Sequence, residues 1–570
     1  MGGLDFGIVL LFLGGSLLFG LRHARRSRQS PEQFFAAGRS VPWWLAGTSM
    51  VATTFAVDTP MVVAALVATQ GVSGNWFWWS DVLPTMIAAL VVAELWRRSG
   101  VLTDNQLIEL RYSGRPALLL RVFRALFFGV IKNAIVLAWV NLAMLKLLQV
   151  ALGLDADGSR YALFGLFAFT VTYTLLAGLW GVILTDSLQF LLAILGSVAL
   201  AWVSIASAGG IPALTQELVA RLGSESTSNL LSVVPSSNEA FWAAAAYLLV
   251  KSWASGNTEG NGYLAQRILA TPDARHARLA ALWFAIAHFA LRPWPWILVG
   301  LVALVRYPDL ADPEVGYVRV MLAELPAGLL GLMLASLLAA YISTVDTHLN
   351  WGASYLTHDI YARVLRPEAS ERERVRVARW SVVALAGLGV ATTFATPSIF
   401  SAWRVLASIV AGSGLILLLR WIWWRVNVWS EISVMAASLL ATIALNGLDV
   451  SFPLSLVLVV AIAIPVSLAV TLVTRPEPAA TLEMFYRRVR PPGAWGRVAS
   501  RAGEAGPESL KGRAIAVLVG TAGVYAILIG TGEAILGSAA LGVLCVVLGC
   551  SAILALVLPT TRSPATQPQT

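Results

Sequence analysis

Apolar runs long enough to cross a bilayer recur from end to end of this chain, and arginine-rich connections separate alternate pairs of them. A helix needs ~20 predominantly apolar residues to span hydrocarbon. Runs near that length lie at Phe6–Leu21, Trp43–Thr69, Trp76–Trp96, Leu120–Leu152, Tyr161–Ala177, Val182–Ala206, Ala240–Ala265, Leu279–Val305 and Leu329–Leu356. Others follow at Trp380–Ala395, Phe400–Trp424, Ile432–Leu445, Leu454–Val473, Ala514–Gly530 and Ile535–Leu558. The pattern predicts an all-α polytopic membrane protein with about fifteen transmembrane helices, since only helices or closed barrels satisfy their backbone in lipid. With 58% hydrophobic and 12% charged residues among 570, the composition agrees. The formal charge of +9 could point to nucleic acid, but it sits in loops between apolar runs, where membrane orientation accounts for it.

No basic residue precedes the first run, and Arg22, Arg25, Arg26 and Arg28 follow it, the reverse of a cleavable signal peptide. The N-terminus is therefore expected outside. Arg97, Arg98, Arg111 and Arg115, then Arg267, Arg275 and Arg278, then the Arg363–Arg379 and Arg475–Arg501 groups fall in every second connection, the inner ones. That alternation places the tail, Thr560 to Thr570, in the cytoplasm of a cell (inner or plasma) membrane. The largest connections, 209–239 outside and 475–513 inside, are too short for a catalytic domain, and the inner one reads as a solvated basic linker. Cys545 and Cys550 make no disulfide framework, and the five histidines have no metal-ligand spacing. Paired acid and base groups of the kind an enzyme site needs are missing from the loops.

Polar residues stand where hydrocarbon belongs at three places. The Leu329–Leu356 run carries Ser343, Thr344, Asp346 and Thr347. Hydroxyl and carboxylate oxygens suit a hard cation, although Ser and Thr also bond back to the carbonyl one turn earlier. The second run is interrupted at Ala52-Thr-Thr-Phe-Ala-Val-Asp-Thr-Pro60, the seventh at Lys251-Ser-Trp-Ala-Ser-Gly-Asn-Thr-Glu-Gly-Asn-Gly-Tyr263. Such breaks free backbone groups and are tolerated around a cavity or within protein packing. The two lie five spans apart, so each opens a block of five helices, the mark of an inverted-repeat secondary transporter with a midplane site. The expected solute cavity then draws on Asp58, Trp253, Asn257, Glu259, Asn261, Lys132 and Lys251. Each lysine either snorkels, pairs with Asp58 or Glu259, or meets a solute carboxylate. Trp253, Trp78 and Trp79 could close over a ring, or belong to an aromatic belt.

Ala37-Gly-Arg-Ser-Val-Pro-Trp-Trp44, Glu109-Leu-Arg-Tyr112, Gly178-Leu-Trp-Gly181, Thr185-Asp-Ser-Leu-Gln189, Tyr263-Leu-Ala-Gln-Arg267 and the Ala340–Asn350 stretch together resemble the sodium:solute symporters, which include bacterial proline, pantothenate and galactose carriers. The resemblance runs from about Phe35 to Val473. It implies a ten-helix core of five-plus-five inverted topology, the LeuT-like fold, here at 43–425. An extra helix would precede it in 1–42 and two peripheral helices follow in 426–474, with the basic linker (475–513) and a terminal helical hairpin (514–570) beyond. By the same resemblance sodium is held by the carbonyls of Ala52, Phe55 and Ala340 and the hydroxyls of Ser343 and Thr344. A second cation, or a proton, falls between Asp186, Asp346 and Ser343. The seventh run lacks the aromatic residues many relatives carry after its tryptophan. Sodium-coupled symport of a small polar organic solute by alternating access is the function implied, with sodium, the solute and the lipid bilayer as partners and no further cofactor. A membrane sensor built on a carrier core, a membrane-embedded enzyme and a channel are the competing readings.

Overall fold

The computed structural model describes residues 2–23, 37–101, 103–174, 179–235, 238–260 and 262–558. Nearly all of it is helical. In chain order the main helices are α1 (Gly3–His23), α2 (Trp43–Thr53), α3 (Asp58–Gln70), α4 (Val72–Ser99), α5 (Gly114–Leu152), α6 (Ala156–Thr174) and α7 (Leu179–Ser207). They continue as α8 (Asn238–Ala254), α9 (Tyr263–Leu269), α10 (Ala274–Arg306), α11 (Leu329–Leu365), α12 (Glu371–Thr393), α13 (Ile399–Ile409) and α14 (Ser413–Ile422). The last are α15 (Val428–Gly447), α16 (Leu454–Val473), α17 (Ala479–Val489), α18 (Gly496–Ala502), α19 (Leu510–Leu536) and α20 (Ala539–Val557). Among the described residues ten helical stretches are long and apolar enough to cross a membrane, or up to twelve if each of two bent pairs is one span. The described parts of the runs expected at Phe6–Leu21, Tyr161–Ala177 and Ala240–Ala265 are mostly helical, as α1, α6 and α8 with α9, but fall outside that set, so length and composition among the described residues support ten to twelve spans.

Both expected breaks are present. Helices α2 and α3 meet at 63° across residues 54–57. The Thr54 hydroxyl turns back onto the carbonyls of Met50 (3.1 Å) and Val51 (2.8 Å), and Pro60 sits in the first turn of α3, where a missing N–H costs nothing. The seventh run stops at Ala254, makes a single 3₁₀ turn over Gly256–Glu259 and restarts as α9; Gly260 (φ 60°) and Gly262 (φ 67°) supply the left-handed turns. A third break was not foreseen: α13 and α14 bend by 42° around Gly412, whose N–H donates to the Ala254 carbonyl at 3.0 Å. Gly414 lies so close to the second break that a Cβ there would run into the Ser255 carbonyl.

Helix α11 packs against α1, α2 and α7. Its first turn is held by Asp5 of α1, whose Oδ1 accepts the N–H groups of Gly328 (2.8 Å) and Gly331 (2.9 Å). The basic connection after α16 keeps Arg475, Arg487, Arg488, Arg490, Arg497 and Arg501 exposed, yet it is more than a solvated linker. It folds as α17 and α18, and its Phe485, Tyr486 and Trp495 are buried, the Trp495 indole donating to the Trp421 carbonyl at 2.8 Å. Helices α19 and α20 form a hairpin sealed by facing glycines, and α19 docks on α4 and α10 with Tyr525 donating to the Trp79 carbonyl at 3.1 Å.

Candidate functional site

The first break and α11 bring the expected oxygen donors onto two helices in contact. Ala52, Phe55, Ala340, Ser343 and Thr344 are all buried. The Phe55 N–H donates to the Ala52 carbonyl (2.9 Å), and its ring stacks on Trp296 with centroids 5.4 Å apart. Thr344 donates to the Ala340 carbonyl at 2.9 Å, the back-bond expected of a helical threonine, which leaves the hydroxyl oxygen's lone pairs available. Every donor in the set is neutral, a chemistry that suits a singly charged ion. Two arginines whose role here the sequence does not reveal brace the end of α2. Arg292 donates to the carbonyls of Val51 (3.1 Å) and Thr54 (3.0 Å), and Arg267 to the hydroxyls of Ser49 (3.4 Å) and Thr53 (3.2 Å). Arg267 had been read as a loop charge; it is 1% exposed. Asp346 is buried one turn beyond Ser343 and accepts from Asn350 at 2.7 Å. Its expected companion Asp186 lies on α7 with a side chain outside the described residues.

A cavity of about 200 Å³ opens among α4, α5, α8, α13 and α16. Its walls are aromatic, with Phe77, Trp78, Phe128, Trp139 and Trp403, and its floor is the small-residue break Ala254-Ser255-Gly256. Two lysines and one carboxylate reach it. Lys251 pairs with Asp81 at 3.2 Å and donates to the Phe77 carbonyl, with the Phe77 ring 4.9 Å away. Its partner is thus Asp81, where Asp58 or Glu259 had been expected. Lys132 closes a π-helical turn, Phe127–Lys132, in α5. Such a turn is often a functional device, here displacing the lysine from the regular helical register. Its ammonium lies 5.8 Å from the Phe128 ring and 5.6 Å from the Trp351 ring and makes no hydrogen bond or ion pair with a described residue.

Other expected cavity residues stand elsewhere. Asp58 is buried behind the wall, its Oδ2 accepting the Trp403 indole N–H at 3.1 Å. Trp253 packs half-buried against the apolar cluster of α15 and α16, outside the lining, and Trp79 is buried against Trp76 and Trp294. The Asn257 side chain and Asn261 lie outside the described residues. Glu259 is not a lining residue, because arginine claims it: Oε2 takes Arg420 Nη2 at 2.6 Å and the Trp421 indole at 3.3 Å.

That pairing belongs to a buried charge cluster. Arg420 also meets Glu431 at 3.0 Å; Arg124 lies 3.2 Å from Glu431 and 3.8 Å from Asp104; Tyr112 donates to Glu431 at 2.5 Å and Tyr355 to Asp104 at 2.7 Å. Arg111, counted from sequence as a loop charge, is fully buried, donates to the carbonyls of Arg420 (3.1 Å) and Val426 (2.9 Å) and stacks 4.9 Å from the Trp495 ring. Among the described residues no three His, Cys, Asp or Glu side chains converge as a metal site.

Helices broken in corresponding positions, a packed helix of hydroxyls beside one break and an aromatic cavity beside the other define a membrane carrier. A family model described as the sodium:solute symporter family matches residues 34–437. The chain is 26% identical over 427 residues to the sodium/mannose cotransporter SLC5A10 of Bos taurus, covering 68% of each protein. It is 23% identical over 398 residues to the sodium/glucose cotransporter of Vibrio parahaemolyticus, covering 66% of this chain and 72% of that one. A solved substrate-bound, outward-open structure of a Na+-coupled sialic acid symporter superposes with a TM-score of 0.67 at 19% identity, over 84% of this chain and 99% of that one, so the two share a fold. The chain belongs to the sodium:solute symporter family. It is a multi-pass membrane protein whose activity is sodium-coupled symport of a solute, not catalysis.

Proposed function

We propose that this protein carries a small organic solute by alternating access, with one sodium ion held by the Ala52, Phe55 and Ala340 carbonyls and the Ser343 and Thr344 hydroxyls. The observation that carries this reading is the packing of α11 on the broken α2–α3 segment, all five residues buried. Unwound backbone offers carbonyls that helical bonds no longer use, and the neighbouring hydroxyls complete a neutral shell. A second cation or a proton sits between Asp186, Asp346 and Ser343, since two carboxylates in a poorly solvated place do not both stay charged alone. The solute occupies the cavity beside Ser255 and Gly256.

The five-plus-five repeat spans 43–425 within a fifteen-span topology, with α1, α6 and the α8–α9 pair as spans, the N-terminus outside and the C-terminus in the cytoplasm. The helices of 426–474 and 514–570 brace this core, and 475–513 caps it. The test is counterflow and uptake in proteoliposomes against a panel of labelled solutes, with sodium or choline outside. Saturable uptake that collapses when choline replaces sodium is expected. Uptake indifferent to that exchange overturns the coupling, and saturable solute binding with no flux favours a sensor built on a carrier core.

A further inference from the structure

The charges that line the cavity do not balance. Lys251 is neutralised by Asp81, whereas Lys132, one helix away on the same cavity, has the rings of Phe128 and Trp351 beside it and no carboxylate within ion-pair distance among the described residues, Asp104 acting on it only from farther off. An ammonium partly withdrawn from water with no direct partner is unfavourable, and aromatic faces offset only part of that. A direct partner for it is left to whatever fills the cavity.

The rest of the lining offers few polar side-chain groups, the Ser255 hydroxyl and the Trp139 indole. The indole N–H of Trp78 is taken by Asn75 at 3.0 Å and that of Trp403 by Asp58 at 3.1 Å, so these rings present apolar faces. Ala254, Ala407, Val410 and Leu456 add more apolar surface. A polyol needs a hydrogen-bond partner for nearly every hydroxyl, and a site without them leaves buried groups unpaired.

From these observations we infer that the transported solute is a compact organic monoanion, its carboxylate on the Lys132 ammonium and its apolar body against the Phe77, Trp139 and Trp403 rings. This deepens the reading of the cavity as the solute site and rests on it. The residue that sets solute class is then Lys132, re-aimed by the π-turn, while the Lys251–Asp81 pair shapes the wall and adds no net charge.

The experiment uses the full chain in proteoliposomes. Labelled propionate, pyruvate, benzoate and phenylacetate are compared with propionamide, benzamide, benzyl alcohol, glucose and iodide, with and without a sodium gradient. At least one carboxylate is expected to be carried, and its amide at least tenfold more slowly. Lys132→Gln is expected to raise the KM for that carboxylate at least tenfold, Lys132→Arg to recover most of the loss, and sodium binding to stay unchanged in both. The carboxylate-to-amide ratio of the unaltered protein keeps the test decisive if a variant folds poorly. Transport of glucose or an amide with no carboxylate carried, carboxylate uptake indifferent to Lys132→Gln, or no carboxylate carried at all overturns the inference. Transport of iodide alone overturns its organic part. Carboxylate uptake that needs Lys132 but ignores sodium sustains the inference and overturns the sodium-coupled reading instead.

Discussion

Two sets of cations lie within this bundle, and they are treated in opposite ways. Around Glu431 the buried guanidinium groups of Arg124 and Arg420 find carboxylates at 3.2 and 2.6–3.0 Å, and the Tyr112 hydroxyl donates to the same Glu431. Around the aromatic cavity the half-buried Lys132 has rings and no carboxylate within ion-pair distance among the described residues. A closed network of charge fixes one arrangement of the helices that supply it, here α5, α14, α15 and the turn after α8. A charge left without its partner instead marks where something from outside completes the structure. The difference separates what holds this fold from what the fold is for.

The comparison breaks most visibly if its structural half is wrong. Glu431→Ala removes the carboxylate that Arg124 and Arg420 share, leaving Arg420 with Glu259 and Arg124 with Asp104 at 3.8 Å, and removing one partner of a buried pair typically costs about 3–5 kcal/mol. The detergent-purified variant is therefore expected to melt far below the unaltered protein or to fail to insert. A melting temperature within a degree or two would remove the cluster from the stability account. The functional half predicts the opposite sign for Lys132→Gln in the same assay: thermal stability unchanged or raised, because a half-buried charge without a direct partner has gone. Lower stability there would mean Lys132 has a structural partner.

A smaller effect tests whether the two breaks around the cavity move as one. Gly414→Ala pushes a methyl group into the Ser255 carbonyl, and overpacking of this kind costs about 1–3 kcal/mol. Solute affinity should fall while sodium binding at the α2–α3 break is retained; loss of both together would mean the breaks are not separate sites. The smallest effect lies outside the membrane. The Arg513 hydrogen bond (2.7 Å) and charge hold the Glu508 carboxyl below its ordinary 4.5. A depressed carboxyl contributes stability that is fully present above the unfolded value and lost as pH falls through the folded one. Protection of the amides at the start of α19, measured relative to their intrinsic exchange rates, should therefore fall between pH 5 and pH 3, about where an ordinary glutamate titrates, and Glu508→Gln should abolish that step.

Ten to twelve of the spans and both expected breaks were legible because each is written locally, as an apolar run or as Gly, Pro and Asp inside one. The third break carried the same signal in Gly412 and Gly414, embedded in an apolar run, but with no charged residue to draw attention to it. Partnerships were not legible. Lys251 belongs with Asp81 and Glu259 with Arg420, pairs 170 and 161 residues apart in sequence, and only the packing of α4 and α14 against the second break brings them together. Composition misled at 475–513, where many arginines hid three aromatic side chains that bury themselves on the core. The sodium donors were reached through resemblance as much as through chemistry, since a backbone carbonyl has no signature of its own.

The central claim is that neutral oxygens from the α2–α3 break and α11 hold the coupling ion. Equilibrium binding of radiolabelled sodium to the purified protein tests it without knowledge of the solute. Saturable binding is predicted, with affinity lowered roughly tenfold when Ser343→Ala and Thr344→Ala are combined, the loss of two hydrogen-bond-strength ligands at an estimated 0.5–1.5 kcal/mol each, and unchanged by Lys132→Gln. Saturable binding of undiminished affinity in the Ser343→Ala, Thr344→Ala double variant, or no saturable binding in the unaltered protein, would contradict the account.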